Sequence, residues 1–319
     1  MTKYLITGFS GFVSRYFLEY LARKKRRASI LGIDLHPPEF KANDFPGLAW
    51  KYEKIDLMEK KKVEDILWKF QPDYILHLAS YSSVAFSWKN PTLSFQNNTN
   101  IFLNLLEAVR KLNLQSRILA VGSSDEYGNV TPDSLPLKED SPLNPVSPYA
   151  VARVSQELLA KIYVEGFGLD IIRTRSFNHI GPGQREIFVV SSFARQMVEL
   201  GKRRQSSGQI TTGDTSIIRD FVDVRDVVRA YDLLFQRGRT GEIYNICRGK
   251  GCSLKEIIKT MAGIIKIKIS TKVDPKLIRP SENQTIIGSN RKITKETGWQ
   301  PEISLERSLK DILRYWQEK

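Results

Sequence analysis

The opening of the chain sets the strongest limit on what it can fold into. Lys3-Tyr4-Leu5-Ile6-Thr7 is a short apolar run, and Gly8-Phe9-Ser10-Gly11 follows it with two glycines. Phe12, Val13, Tyr16, Phe17, Tyr20 and Leu21 then recur three or four residues apart. That order is a buried strand, a tight turn and a helix. The pattern repeats. Ser29–Ile33 is a second strand ending in Asp34, and Trp50–Ile55 a third ending in Asp56. Tyr74–Leu78 and Arg117–Val121 are a fourth and a fifth. Helices are expected over 59–70 and 99–111, the second with Ile101, Leu105, Ala108 and Leu112 on one face. Strands alternating with helices build βαβ units, so the expected fold class is α/β, a doubly wound parallel sheet.

The rhythm changes after the fifth strand. Pro132, Pro136, Pro142, Pro145 and Pro148 crowd residues 129–148, and long irregular loops of this kind are usually functional. A helix resumes at Tyr149, with Val151, Val154, Leu158 and Ile162 as its apolar stripe, and Gly166-Phe167-Gly168 ends it. Leu169–Thr174 is a sixth strand. Beyond Asn178 the alternation loosens. Helices are expected near 189–200, 224–235, 254–265 and 305–316, with a strand at 243–246.

Composition narrows the function. The chain has 319 residues, 41% hydrophobic and 26% charged, the balance of a soluble globular protein. Cys247 and Cys252 are its only cysteines, which excludes a disulfide framework and suits a reducing cytoplasm. His36, His77 and His179 lack the spacing of a metal site. No apolar run approaches the roughly 20 residues of a membrane span, and no signal peptide is expected. The formal net charge of +14 suits nucleic acid or an acidic small molecule such as a nucleotide. The densest basic run, Arg23–Arg27, continues a helical pattern and reads as a solvated helix end. No helix-turn-helix or zinc-finger pattern accompanies the charge, so a nucleic-acid partner is not expected.

Two clusters carry chemistry. Gly8, Ser10, Gly11, Phe12 and Val13 lie at a strand–turn–helix junction. There the free amides and positive dipole end of a helix suit a pyrophosphate. The spacing is G-x-x-G, with Ser14 where a third glycine of G-x-x-G-x-x-G would fall. Asp34 is placed to accept from an adenosine ribose diol and to repel a 2′-phosphate. Asp56 is placed to meet the adenine edge. At the other cluster Ser123 and Ser124 follow the fifth strand, where ligands of open parallel sheets bind. Tyr149 opens a helix and Arg153 lies one turn on. A serine hydroxyl, a tyrosine and a cation form a carbonyl-reducing group. The cation lowers the tyrosine pKa from about 10 and readies it as acid or base.

The runs Thr7–Val13, VGSSDEYG at 121–128, SPYAVAR at 147–153, RSFNHIGPGQ at 175–184 and RDFVDVRDV at 219–227 resemble the extended short-chain dehydrogenase/reductase family along essentially the whole chain. Phe177–Gln184 looks most like its branch acting on GDP-linked hexoses, and within it the reductases of a 4-keto-6-deoxy sugar, siblings of the 4,6-dehydratases. The resemblance implies a Rossmann-type NAD(P)-binding domain over 1–174, with a returning segment near 215–250, and a smaller sugar-nucleotide-binding lobe over 175–319. It implies hydride transfer from NADH or NADPH to the C4 keto group of GDP-4-keto-6-deoxy-D-mannose, giving GDP-D-rhamnose. Ser123, Tyr149 and Arg153 match the catalytic positions, the arginine standing where the family has lysine. Leu57, Leu78, Ala79, Ser80 and Asn98 match positions about the cofactor. Ser124, Asp125, Asn178, Val189, Arg219 and Arg279 match the substrate side, the arginines on its diphosphate. A homodimer through helices 99–112 and 149–166 is implied. Asp125 stands where dehydratases carry a glutamate base, and its shorter side chain favours the simple reductase. A dehydratase or epimerase is the rival enzyme. Arg153 and Ser14 keep open a binding protein with impaired chemistry. Because arginine does not release its proton, Arg153 is expected to slow turnover.

Overall fold

Apolar runs bounded by polar residues are what strands covered on both faces require. The computed structural model describes residues 1–203, 206–278, 281 and 283–319, and of Ala42 the backbone alone. Along the chain come β1 (Thr2–Thr7), α1 (Phe12–Arg23), β2 (Ala28–Asp34), β3 (Ala49–Lys54), α2 (Lys60–Phe70), β4 (Tyr74–His77), α3 (Val84–Lys89), α4 (Pro91–Lys111), β5 (Arg117–Ser123), α5 (Pro148–Phe167) and β6 (Ile171–Ser176). Then follow β7 (Asn178–Ile180), α6 (Val189–Lys202), β8 (Ser207–Thr212), β9 (Ile218–Asp223), α7 (Val224–Arg237), β10 (Ile243–Ile246), β11 (Gly251–Ser253), α8 (Leu254–Ile265), β12 (Lys268–Val273), β13 (Thr285–Ile286), α9 (Arg291–Thr297) and α10 (Leu305–Glu318).

Seven parallel strands stand in the order β10-β6-β5-β4-β1-β2-β3, the Rossmann-type sheet expected. Register aligns Thr7 with Ile33 and with His77, and Ser123 with Ser176. The carboxyl ends of these strands therefore share one edge, and the order reverses between β1 and β4, where such sheets bind ligands. Side chains alternate across the sheet. Leu5, Leu31, Ile75, Ile118 and Ile171 pack with Leu105, Val109 and Ala160 of α4 and α5. Tyr4, Ile6, Ile30, Leu76 and Ile172 pack on the other face with Phe17, Tyr231 and Phe235 of α1 and α7. A smaller layer joins β9 to β7, β11 and β13, and β8 to β12. Its core holds Phe193, Met197, Ile257, Met261, Leu309 and Ile312 of α6, α8 and α10.

Three expectations need correction. The third strand stops at Lys54, so Asp56 lies in the following loop. The helix expected from Thr99 begins at Pro91, preceded by the short α3. Residues 91–98 are rich in Ser, Thr and Asn, weak helix formers, and Pro91 in the first turn offsets this because its lost N–H would be unpaired there. The stripe expected to bury α5 faces outward: Val151, Leu158 and Ile162 are 42%, 53% and 56% exposed. Small Ala150, Ala152 and Ala160 let α5 approach the sheet, and Tyr149, Arg153, Gln156 and Glu157 fill the buried face. The face with the functional groups is thus the polar one, which hydrophobic periodicity cannot find. Arg23–Arg27 is exposed at the end of α1. Among the described residues no helix is long and apolar enough to cross a membrane, and no side-chain cluster suits a metal.

The proline-rich loop is tied at Gly128 to Asn144 and at Leu137 to Gly288. Gly128 has φ +58°, and a β-carbon there would lie 1.5 Å from the Asn144 carbonyl oxygen. Gly128→Ala combines backbone strain with a clash against main chain. It is expected to cost at least about 3 kcal/mol, read as a lower urea midpoint at unchanged m-value.

Candidate active site

Gly8 has φ +68°, and a β-carbon on it would sit 2.8 Å from the Ala79 amide nitrogen. The β1–α1 turn and the loop after β4 can close on each other only because this position is bare. Gly11 precedes α1 and gives it no side-chain cap, so the first-turn amides of Phe12 and Val13 keep no capping side chain. This cradle fits a dinucleotide diphosphate. Ser14, in the third glycine position, is fully buried, and its Oγ is without a partner among the described residues.

The carboxylate of Asp34 is already engaged. Its Oδ2 accepts from the amide and hydroxyl of Ser10, at 2.9 and 2.8 Å, and its Oδ1 from the amides of Leu35 and His36, at 2.7 and 3.3 Å. Asp34 thus splints the glycine turn to the end of β2. Asp56 accepts from the amide of Met58 at 2.8 Å, and Leu57 is buried, its carbonyl held by Asn104. Asn98 does not turn its amide to a ligand: its Oδ1 accepts from Tyr81 N and its Nδ2 donates to Tyr81 O. It fixes the loop of Leu78, Ala79 and Ser80 from behind.

Arg153 is 6% exposed and joins the catalytic end into one network. Its Nε donates to Tyr149 Oη at 3.2 Å and its Nη1 to Val121 O at 3.0 Å and Gln156 Oε1 at 2.8 Å. Its Nη2 donates to Ser80 Oγ at 2.6 Å. The loop after β4, the end of β5 and the start of α5 therefore meet on one guanidinium. Gln156 was not foreseen; its place three residues after Arg153 on a helix is the signal for it. Ser123 ends β5, two residues beyond Val121. Its Oγ accepts from Asp125 N at 3.2 Å, and its amide donates to Glu126 Oε1 at 2.6 Å. Ser124 is buried beside it.

The second lobe brings its residues to the same edge through β7, which pairs Asn178 with Phe221 of β9. Asn178 is exposed, and Val189 is the first residue of α6. Arg219, on β9, is 8% exposed and donates from Nη1 to Ile218 O. Arg279 lies outside the described residues.

A glycine turn after the first strand, with serine at the end of the fifth and tyrosine and a cation on the helix that follows, defines the extended short-chain dehydrogenase/reductase class. Within it the chain belongs to the GDP-mannose 4,6 dehydratase family, whose model matches residues 5–312. The chain is 33% identical to a GDP-6-deoxy-D-mannose reductase of Pseudomonas aeruginosa, over 100% of this chain and 99% of that one. It is 28% identical to a GDP-mannose 4,6-dehydratase of Vibrio cholerae, over 97% of this chain and 92% of the other. Among solved structures, RMD from Pseudomonas aeruginosa complexed with NADPH superposes with a TM-score of 0.85 at 32% identity, covering 100% of both chains. A UDP-glucose 4-epimerase from Thermotoga maritima with UDP-glucose does so at 0.87 and 27% identity, covering 99% of each.

Two histidines brace the site as neutral rings. His77 Nδ1 is 2.9 Å from Thr7 Oγ1; burial, then the charge of Arg153, holds its pKa down to about 3. Burial holds His179, beside Asn178, down to about 4. In the unfolded chain both titrate near 6.5. Between about pH 4 and 6.5 the unfolded chain therefore binds more protons, so these histidines make stability rise with pH. Asp220, pushed up to about 6 by burial, and the buried Glu126 and half-buried Glu139, both pushed up by burial, act in the opposite direction over most of that window. Relative to wild type, His77→Asn, whose amide keeps a partner for Thr7, is expected to gain in urea midpoint as the pH is lowered from 6.5 to 4.5, because the variant lacks the His77 contribution.

Proposed function

We propose that this chain reduces the C4 keto group of GDP-4-keto-6-deoxy-D-mannose to give GDP-D-rhamnose, with NADH or NADPH as reductant. The full-length likeness to a GDP-6-deoxy-D-mannose reductase carries this reading. Asp125 in the place of a dehydratase glutamate supports it.

Gly8, Ser10, Gly11, Phe12 and Val13 hold the cofactor diphosphate, Asp34 the adenosine ribose, and Asp56 and Leu57 the adenine. Leu78, Ala79 and Ser80, braced by Asn98, line the nicotinamide half with Tyr149 and Arg153. The nicotinamide, when bound, supplies the hydride. Tyr149 gives its phenolic proton to the C4 oxygen as negative charge develops there. The Ser123 hydroxyl accepts from Asp125 N, which leaves its own proton for the same oxygen. Arg153 keeps its proton and acts as a fixed charge, stabilising the phenolate left behind. Ser124, Asp125, Asn178 and Val189 contact the sugar nucleotide, and Arg219 with Arg279 its diphosphate, a match of planar donors to phosphate oxygens. Residues 1–174, with the returning segment near 215–250, bind the cofactor, and 175–319 mainly the sugar nucleotide. The outward stripe of Val151, Leu158 and Ile162, with Phe95 of α4 also exposed, fits a second copy of this chain packed helix to helix.

Incubation with the keto sugar and a reduced cofactor is expected to oxidise one cofactor per GDP-D-rhamnose formed. GDP-mannose alone is expected to give nothing; a 4-keto product from it would establish the dehydratase instead. The four hydrogen bonds of Arg153 support the reading opposite to slowed turnover. A lysine cannot reach Val121, Gln156, Ser80 and Tyr149 together, and it leaves buried acceptors unpaired. Arg153→Lys is expected to lower kcat at least about tenfold, about 1.4 kcal/mol of transition-state stabilisation, with KM for the sugar little changed. Steady-state kinetics decide, and a faster lysine form would restore the relay argument.

A further inference from the structure

Glu126 is fully buried, one residue before Tyr127 in the turn that follows β5. Ser-x-x-Glu is an ordinary capping pattern, which normally lies in solvent at a helix start. Here it is driven into the core. Glu126 Oε1 accepts the amide of Ser123 at 2.6 Å. The carboxyl occupies a slot that Gly122 leaves open, since a β-carbon there would lie 2.4 Å from Oε1. Its other oxygen has no hydrogen-bond partner among the described residues.

The charges facing it decide its state. Arg175 of β6 lies 3.9 Å from Glu126 Oε2. That guanidinium is already taken by Glu157 of α5, with Nε and Nη2 on its two carboxylate oxygens at 2.9 and 2.7 Å. Its Nη1 donates to Glu139 O, and the Tyr127 ring lies 4.7 Å away. Arg173, the next basic residue on that face of β6, donates to the Gly241 carbonyl. Glu139 of the proline-rich loop turns its Oε1 to the amide of Asn245, and Asp125 on the same turn is part-exposed. Arg175 makes its close pair with Glu157 and reaches Glu126 only at 3.9 Å, so among the described residues no cation donates a hydrogen bond to the Glu126 carboxyl. An unpaired buried charge is far costlier than a neutral acid.

We propose that Glu126, held as a neutral carboxylic acid, is the positioning residue that sets Ser123 against the substrate oxygen. Burial, then the negative charge of Glu157, pushes its pKa well above the usual carboxylate range. Glu157 is held below that range by Arg175. The neutral acid accepts the Ser123 amide without placing a negative charge beside an oxygen that is itself becoming negative. Ionised, it would oppose that charge from the same turn. Glu126 touches neither substrate nor cofactor and acts through Ser123 alone. The inference rests on Ser123 having the role proposed above.

Glu126→Gln keeps the acceptor and the neutrality; Glu126→Leu removes the acceptor. The expected result is a glutamine form within about threefold of wild-type kcat. The leucine form should lose at least about tenfold in kcat with KM little altered, the effect of a misplaced reacting group. Wild-type kcat should also fall at high pH along a limb that the glutamine form lacks in part, because only wild type can ionise there. Infrared difference spectra of wild type against Glu126→Gln at neutral pH should show a neutral carboxylic acid band lost in the variant. Equal kcat and pH profiles in all three forms would overturn the proposal, and so would absence of that band. If the leucine form does not fold, the glutamine pH profile and the spectrum decide. No turnover by wild type would instead overturn the reductase reading, and the infrared result would still stand.

Discussion

Arg153 is one buried positive charge with four acceptors drawn from different parts of the fold. Parallel sheets leave the loops at their carboxyl ends to find their own fixings, since no ladder hydrogen bonds extend beyond the last paired residue. Here that fixing is a planar group whose donors point in set directions. The β4 loop, the end of β5 and the start of α5 are related to one another by its geometry. In the proposed roles Ser80 lies on the cofactor side and Tyr149 on the acid–base side, so the contacts that hold the fold at this edge would also set the distance between two chemical groups. Asn98 reinforces the arrangement from α4 by holding both polar groups of Tyr81.

A second buried unit lies below it. Glu157 and Arg175 form a close bidentate pair within the sheet–helix interface. Such a pair returns little net stability, because its desolvation offsets its attraction. Its value lies in direction. It joins α5 to β6 one helical turn beyond Arg153, so the helix that carries the tyrosine is tied to the sheet at two successive polar levels while Val151, Leu158 and Ile162 face outward.

The sheet was legible because strands covered on both faces read as apolar runs, as β1, β2, β4 and β5 do, whereas the edge strand β3 alternates apolar and charged residues. The glycine turn was legible because only glycine tolerates the approach of Ala79. The helix α5 was located correctly and rotated wrongly. Its alanines and polar residues carry no hydrophobic signal, whereas its exposed Val151, Leu158 and Ile162 carry a strong one. Strands as short as Asn178–Ile180 and Thr285–Ile286 are set by their neighbours on β9 and leave no periodicity to read. At the site, Ser123, Tyr149, Arg153 and Ser80 were named from sequence. Gln156 and Glu126 were not, though each stands three residues from a named one. A side chain that works by pairing with another has no residue type of its own to announce it.

The four hydrogen bonds on Asp34 change what it means for a nucleotide to bind there. The carboxylate does not wait open; it is satisfied by Ser10, Leu35 and His36. If Asp34 takes the adenosine ribose, as proposed, the ribose exchanges with the Ser10 hydroxyl instead of filling a gap. Only the difference between two similar hydroxyl–carboxylate bonds is left to reward an unmodified ribose, and part of the negative charge that would repel a 2′-phosphate is already offset by amide dipoles. Discrimination between the two nicotinamide cofactors thereby becomes a contest between hydroxyls for one acceptor, settled in the same turn whose neighbouring amides face the diphosphate. Under the proposed roles, adenosine recognition and diphosphate recognition become one event, coupled through the side chain of a single serine.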